Sequence, residues 1–323
     1  MMFEEKMDMI IKELEPLTKI LILQHQNPDG DSLGSALAFG SLLTRMGKRV
    51  TLAVEGKVPE YLGFLPGSKR IRQGEKLFLD DYDVLVLIEA QSVDRTGVQT
   101  EKKDFKGPVI VIDHHQSDRK ASDLVINLPA YSSTSEIIWH FFRKLDMPLK
   151  KEEALFLFVG IYTDTGRFSE ANTTAHSLRV SADLVETGEL EINRIYQKIY
   201  GEVRPERMLL LGKALNTLKI EGGICWMELR KEYFGETGAV PEDSKNLINF
   251  CKDIKDVDVA LVFREEGENT VKVTMRSKKR DVYKIAKELG GGGHNRASGA
   301  TVRGDMETVR RKVMELLEKE TGL

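Results

Sequence analysis

The sequence predicts an α/β protein with a parallel sheet, followed by a smaller mixed-sheet domain, on three observations. Apolar runs rich in Val, Ile and Leu recur as KILILQHQ, RVTLAVEG, YDVLVLIEA and GPVIVIDHH, each ending in polar residues, as strands buried on both faces do. Between the first two lies SLGSALAFGSLLTRMG, apolar at helical spacing and closed by Gly47, so strand, helix and strand follow in order. In the last third the pattern changes: GGICWMELR, DVALVFREE and NTVKVTMRSK alternate or run as strands, the last two joined by a turn around Glu266 to Asn269.

These observations order the chain. Four parallel strands come first, and TSEIIWHFFRKL, EEALFLFVGIYTD and TAHSLRVSADLVETG then read as successive helices that complete a domain over residues 1–188. Residues 189–205 are charged and helical-looking and read as a linker, with Pro205 suited to open a helix. Residues 206–323 form the second domain, where the helix YKIAKELG runs into GGGGH and METVRRKVMELLEKE supplies a final amphipathic helix.

Composition narrows the function. With 323 residues, 41% hydrophobic and 31% charged, the chain is globular, and no segment approaches the roughly 18 uncharged apolar residues of a membrane span. The amino-terminal MMFEEKMDMIIKELEPLTK reads as an amphipathic helix and lacks a signal's apolar region and cleavage site, so no membrane partner and a cytoplasmic location are expected. Two cysteines, Cys225 and Cys251, are too few for a disulfide framework or a thiolate metal site. A net charge of −3 argues against long nucleic acid held on a broad basic surface and leaves a small anionic substrate open. No obligate protein partner is evident, and a homodimer stays open.

Chemistry-bearing residues cluster at predicted strand ends. The first strand ends in His25 and runs into Asp29 and Asp31; the third ends in Glu89; the fourth ends in Asp113, His114 and His115. In open α/β sheets ligands bind at the carboxyl ends of strands. Asp164 adds a carboxylate where the helix begun at Glu152 breaks at Gly166. Pro28 and Gly30 allow a tight loop that presents Asp29 and Asp31 to neighbouring cations, although an Asp-rich helix cap is the plainer reading of that segment alone. Oxygen and imidazole donors without thiolate favour Mn²⁺ over zinc, with Mg²⁺ as the fallback.

Taken together, HQNPDGDSLGS, the IDHH strand end and GIYTDTG resemble the DHH phosphoesterase superfamily over most of the first 190 residues. The resemblance implies two metals about 3.5 to 4 Å apart that hold the water attacking phosphorus. It assigns His25 and Asp29 to one metal, Asp31, His114 and Asp164 to the other, and the bridging place to Glu89, where the family normally carries Asp. His115 falls where a second histidine faces the phosphate, with Asp113 orienting its neighbours. Asp118 stands where relatives usually carry Asn. Arg95 faces either the site or a surface ion pair, and Ser132, Ser133 and Thr134 open a helix, as the family's small polar run does, or merely cap it.

The second domain contributes GGGGH, Gly290 to His294, where Gly291, Gly292 and Gly293 let backbone approach a ligand closely. Arg276 and Ser277 in TMRSKK suit a terminal phosphate, whereas Lys278 to Arg280 read as a solvated basic edge. LVFRE, VTMRS and GGGGHNRASG resemble the DHH-associated domain of the first type, and the resemblance makes His294, Arg276 and Arg264 candidates to grip a nucleotide. Overall the chain resembles the compact NrnA-like oligoribonucleases. That implies a two-metal, manganese-dependent phosphodiesterase with its site in an interdomain cleft, cutting short RNA or linear dinucleotides to mononucleotides. Rival readings are a phosphatase of 3′-phosphoadenosine 5′-phosphate, a cyclic-dinucleotide phosphodiesterase, a pyrophosphatase with a different second domain, and a non-catalytic nucleotide-binding relative.

Overall fold

The structure, a computed structural model, describes residues 3–98, 100–101, 105–115, 124–201 and 203–321. The chain forms two compact units, Met1–Glu202 and Val203–Leu323.

The first unit opens with α1 (Phe3–Leu14), β1 (Lys19–Gln24), α2 (Gly30–Arg45) and β2 (Arg49–Val54). It continues through β3 (Arg72–Gln73), β4 (Leu77–Phe78), β5 (Val84–Ile88), α3 (Val93–Thr96) and β6 (Thr100–Glu101) to β7 (Val109–Asp113) and β8 (Leu124–Asn127). The main sheet has the order β3-β2-β1-β5-β7-β8, and all its pairs are parallel. The four strands read from sequence are β2, β1, β5 and β7, and the short β3 and β8 extend the sheet at its two edges. Alternation of side chains splits each central strand between two cores. Ile20, Ile22, Val86, Ile110 and Ile112 pack under α2, α4 (Thr134–Lys144) and α5 (Lys151–Asp164), whereas Leu21, Leu23, Leu85, Leu87 and Val111 face Leu77, Leu79 and Val98.

Close helix packing needs missing side chains. A Cβ on Gly34 of α2 would lie 2.3 Å from the carbonyl oxygen of Phe156 in α5, so only glycine lets these two helices approach this far. Then follow α6 (Ala175–Gly188) and α7 (Ile192–Tyr196), and a π turn over Gln197–Gly201. The segment read as a linker therefore carries regular structure, and its Ile195 is buried in the first unit's core.

The second unit comprises α8 (Pro205–Asn216), β9 (Lys219–Glu221), β10 (Ile224–Leu229), α9 (Lys231–Thr237), α10 (Asn249–Lys252), β11 (Val259–Glu265) and β12 (Thr270–Ser277). It ends with α11 (Tyr283–Glu288), β13 (Gly292–His294), β14 (Ala297–Arg303) and α12 (Met306–Thr321). Its sheet runs β13-β14-β12-β11-β10-β9, with only the β10–β11 pair parallel, so it is mixed. Ile224 and Trp226 face a core with α12, and Cys225 and Met227 face another with α8 and α10. Cys225 and Cys251 are free and buried. Among the described residues, no helix is long and apolar enough to cross a membrane.

Candidate metal centre

β1, β5 and β7 are neighbours in the parallel sheet, so the polar residues that end them must emerge side by side at one edge. His25 Nε2 lies 3.8 Å from Asp29 Oδ2 and 3.7 Å from Glu89 Oε2. The other oxygen of Glu89, Oε1, lies 3.3 Å from His114 Nε2, which is also 3.5 Å from Asp164 Oδ2 and 4.0 Å from Asp31 Oδ2. Donor atoms of His25, Asp29 and Glu89 thus fall within 4.8 Å of one another, as do those of Asp31, His114 and Asp164 and those of Glu89, His114 and His115.

Backbone and packing fix each side chain. Asp29 is the N-cap of α2 and accepts from Asp31 and Ser32 N–H, so the capping and cluster readings of that loop both hold. Gly30 is the first residue of α2, and its φ is not left-handed. Its lack of a side chain serves a different end from the tight loop expected: a Cβ there would meet Thr163 Oγ1 at 2.2 Å. Asp31, only 1% exposed, accepts from the backbone N–H of Thr134 at 2.6 Å and Ser135 at 2.9 Å, at the start of α4. The positive end of that helix holds the carboxylate in place. Glu89 takes φ +54 just past β5, a left-handed backbone that costs a non-glycine residue about 1 kcal/mol or more and concentrates at functional sites. Thr134 Oγ1 donates to its Oε1 at 3.2 Å.

Charge in this group is unbalanced. Burial, then the charges of Asp31 and Asp29, push Glu89 and Asp164 well above the usual carboxylate range. His114 is pushed below its usual value by burial, and its ring is hydrogen-bonded to the Tyr131 backbone. Glu89 Oε2 and His114 Nε2 are buried with no hydrogen-bond partner among the described residues. Two such orphaned atoms amid four carboxylates suit a cation, and oxygen with imidazole donors fits a hard or borderline divalent ion.

His115 stands beside the cluster. Asp113 Oδ1 accepts from its backbone N–H at 2.9 Å and faces its Nδ1 at 2.8 Å. Burial alone would lower the His115 pKa, but the Asp113 hydrogen bond and charge overcome it and hold it above the usual value. Reciprocally, His115 outweighs burial and keeps Asp113 below its usual value.

Several residues of the site escape a sequence reading. Ser35 Oγ donates to Asp31 Oδ1 at 3.2 Å, and a Cβ on Gly160 would lie 1.9 Å from Ser135 Oγ. Asn172 Nδ2 donates to Asp164 Oδ2 at 3.1 Å and to the Ser132 carbonyl at 2.9 Å. Thr134, expected only in a polar run or cap, touches both Glu89 and Asp31, while Ser133 is the N-cap of α4. The sequence signals for these were the polar run YSSTSE and the motifs HQNPDGDSLGS, which ends in Ser35, and GIYTDTG, which begins with Gly160; none marked Asn172. Arg95 is exposed on α3, and its carbonyl accepts from Gln26 N–H. Asp118 lies outside the described residues.

In the second unit, Gly291 and Gly293 are required by β14: a Cβ on Gly291 would lie 2.1 Å from the Gly299 carbonyl, and Gly293 has φ +134. Only Gly292 of this strand faces open space. Ser277 Oγ accepts from Arg280 N–H at 3.0 Å, and Arg264 is held by Glu266, Ser244 and the Pro241 carbonyl. Arg276 sits beside Ala260 and Ala297 in the sheet and donates to the Met275 carbonyl. The side chain of His294 lies outside the described residues.

Comparison with known proteins decides the family. Residues 19–161 match the model of the DHH family N-terminal domain, and residues 227–320 match the DHHA1 domain. A bifunctional oligoribonuclease and PAP phosphatase NrnA of Thermus thermophilus is 30% identical over 98% of this chain and 94% of its own length. The chain belongs to the DHH family and is NrnA-like. The Bacillus subtilis protein of the same name is 23% identical over 91% of this chain and 92% of its own. Among solved structures, an exopolyphosphatase-related protein from Bacteroides fragilis superposes with a TM-score of 0.88 at 27% identity, covering 98% of this chain and 96% of that one. For this DHH-family chain, the α/β unit and the following mixed-sheet unit are thus the DHH and DHHA1 architecture.

Proposed function

We propose that this protein hydrolyses very short oligoribonucleotides, linear dinucleotides included, to mononucleotides, with two divalent cations, manganese foremost, held at the sheet edge. The observation that carries this is the division of Glu89: one oxygen turned to His25 and the other to His114. His25 and Asp29 would hold one ion and Asp31, His114 and Asp164 the other, with Glu89 bridging. The names of the Thermus and Bacillus relatives support the substrate class.

Cations held by these residues would supply Lewis acidity and lower the pKa of a water near the phosphorus. The chain's own residues do the rest. Asp113 accepts a hydrogen bond from Nδ1 of His115 and favours the protonated ring, which in that form donates from Nε2 to a phosphate oxygen as charge builds there. Asn172 and the α4 amides hold Asp164 and Asp31 at their stations. In the second unit, Arg276, Gly292 and His294 are proposed to read the nucleotide. Ser277 and Arg264 join them only where the substrate competes with their present hydrogen bonds, and Gly291 and Gly293 shape the strand that presents Gly292.

The test is incubation of purified protein with 5′-phosphorylated diadenylate and Mn²⁺ or Mg²⁺, with 3′-phosphoadenosine 5′-phosphate and a cyclic dinucleotide as comparison arms. Mononucleotide release from the linear dinucleotide, fastest of the three, is expected. Absence of product with every cation would overturn the reading.

A further inference from the structure

Beside the metal centre lies a group of side chains that the hydrolytic chemistry leaves unused. Just past Asp164, Arg167 and Phe168 take φ +65 and +63, two consecutive left-handed positions without glycine. Such strain persists only where surroundings over-determine it. Here Arg167 N–H donates to the Tyr162 carbonyl at 2.8 Å, Phe168 N–H donates to Thr165 Oγ1 at 3.2 Å, and the Phe168 ring packs 5.6 Å from Tyr162. The outcome is that the exposed Arg167 lies over the ring of Tyr200, 4.9 Å from its centroid.

Tyr200 belongs to the π turn Gln197–Gly201, a rare conformation often found at functional sites, and its ring stands 6.1 Å from Tyr162 and 5.8 Å from Tyr196. Against this turn packs the 3₁₀ turn Glu60–Leu62, which carries Tyr61, 39% exposed. Burial of the hydroxyl and the charge of Asp29 push the Tyr61 pKa up, and burial pushes that of Tyr200 up to about 12. The group joins aromatic rings and an exposed cation on the turn that follows Asp164, a residue of the cluster.

We propose that Tyr61, Tyr200 and Arg167 form a stacking surface for one of the two nucleobases that flank the phosphodiester being cut. This rests on the activity proposed above. Stacking on an aromatic ring tolerates any base, because each has a π face, and an arginine over the ring adds cation–π attraction. The surface thus favours a nucleotide over any other phosphodiester without choosing among bases.

The test uses the full chain and three substrates: 5′-phosphorylated diadenylate and the two analogues in which one or the other residue is abasic. The wild-type protein is expected to show a KM about 10-fold higher for one of the analogues. Tyr200→Leu, Tyr61→Leu and Arg167→Ala should raise KM for diadenylate about 5- to 50-fold, leave kcat within about twofold, and leave KM for that analogue unchanged. Tyr200→Phe should retain wild-type KM. Arg167→Ala removes only an exposed side chain and so reports even if Tyr200→Leu folds poorly. Equal effects of the variants on all three substrates, or none on any, would reject the stacking role while the hydrolytic activity stands. A wild-type protein that cuts none of the three would overturn the activity and this surface with it.

Discussion

Oε1 of Glu89 lies 3.3 Å from Nε2 of His114, although these residues end different strands. Because the second oxygen of the same carboxylate points at His25, 3.7 Å away, the longer glutamate spans what would otherwise be two separate groups of donors. In Glu89→Asp the carboxylate withdraws by one methylene from both imidazoles at the present backbone position. Calorimetric titration should find Mn²⁺ affinity lowered about 10-fold or more, with turnover falling in step. A gain in turnover would mean that glutamate impairs the site.

Asn172 is the sole described side chain seen donating a hydrogen bond to Asp164. Removing its amide in Asn172→Ala should lower Mn²⁺ affinity about 10-fold and cost about 1 kcal/mol of stability, read by metal titration and urea unfolding. Asn172→Asp should be worse than alanine for the metal-free protein, since it sets another carboxylate against Asp164.

The two glycines of β13's approach separate structural from ligand roles. Gly291→Ala drives a methyl into the Gly299 carbonyl at 2.1 Å and should destabilise the protein by about 2 kcal/mol in urea unfolding. Gly292→Ala meets nothing within 4 Å and should melt as the wild type does. Should it raise KM for a dinucleotide even so, backbone approach to the ligand is the cause.

Acid should weaken the fold through His140. Its ring stacks on His176, 5.2 Å apart and 9° from parallel, and burial, then the charge of His176, lower its pKa, while Glu136 and Glu4 pull the other way. A histidine with a depressed folded pKa gives stability that is intact above the unfolded value, about 6.5, and is lost as pH falls below it, because the unfolded chain takes up the proton first. The unfolding free energy in urea should decline between about pH 6.5 and 5. His140→Phe should flatten part of that decline.

The clustered residues were legible because each ends a local pattern. His25, Glu89 and His114 follow apolar strands, and Asp164 ends a helix, so period and punctuation alone put them at one edge of a parallel sheet. Thr134 and Asn172 were not legible in their roles, since Thr134 meets Asp31 across 103 residues and Asn172 meets Ser132 across 40. Gly160 opens the GIYTDTG motif, but only the packing of α5 on Asp31 and Ser135 shows why it carries no side chain.

By itself the sequence determined the alternation of strands and helices, the second, mixed sheet, and the kinds of donor atom available, since hydrophobic period and residue chemistry are local properties. Tertiary structure alone decided how Glu89 divides its oxygens, why Gly30 and Gly291 carry no side chain, and that Arg167 lies over the ring of Tyr200. Those depend on which surfaces are pressed together within an ångström or so, and close packing is a property of the assembled core, where each position is set by neighbours remote along the chain.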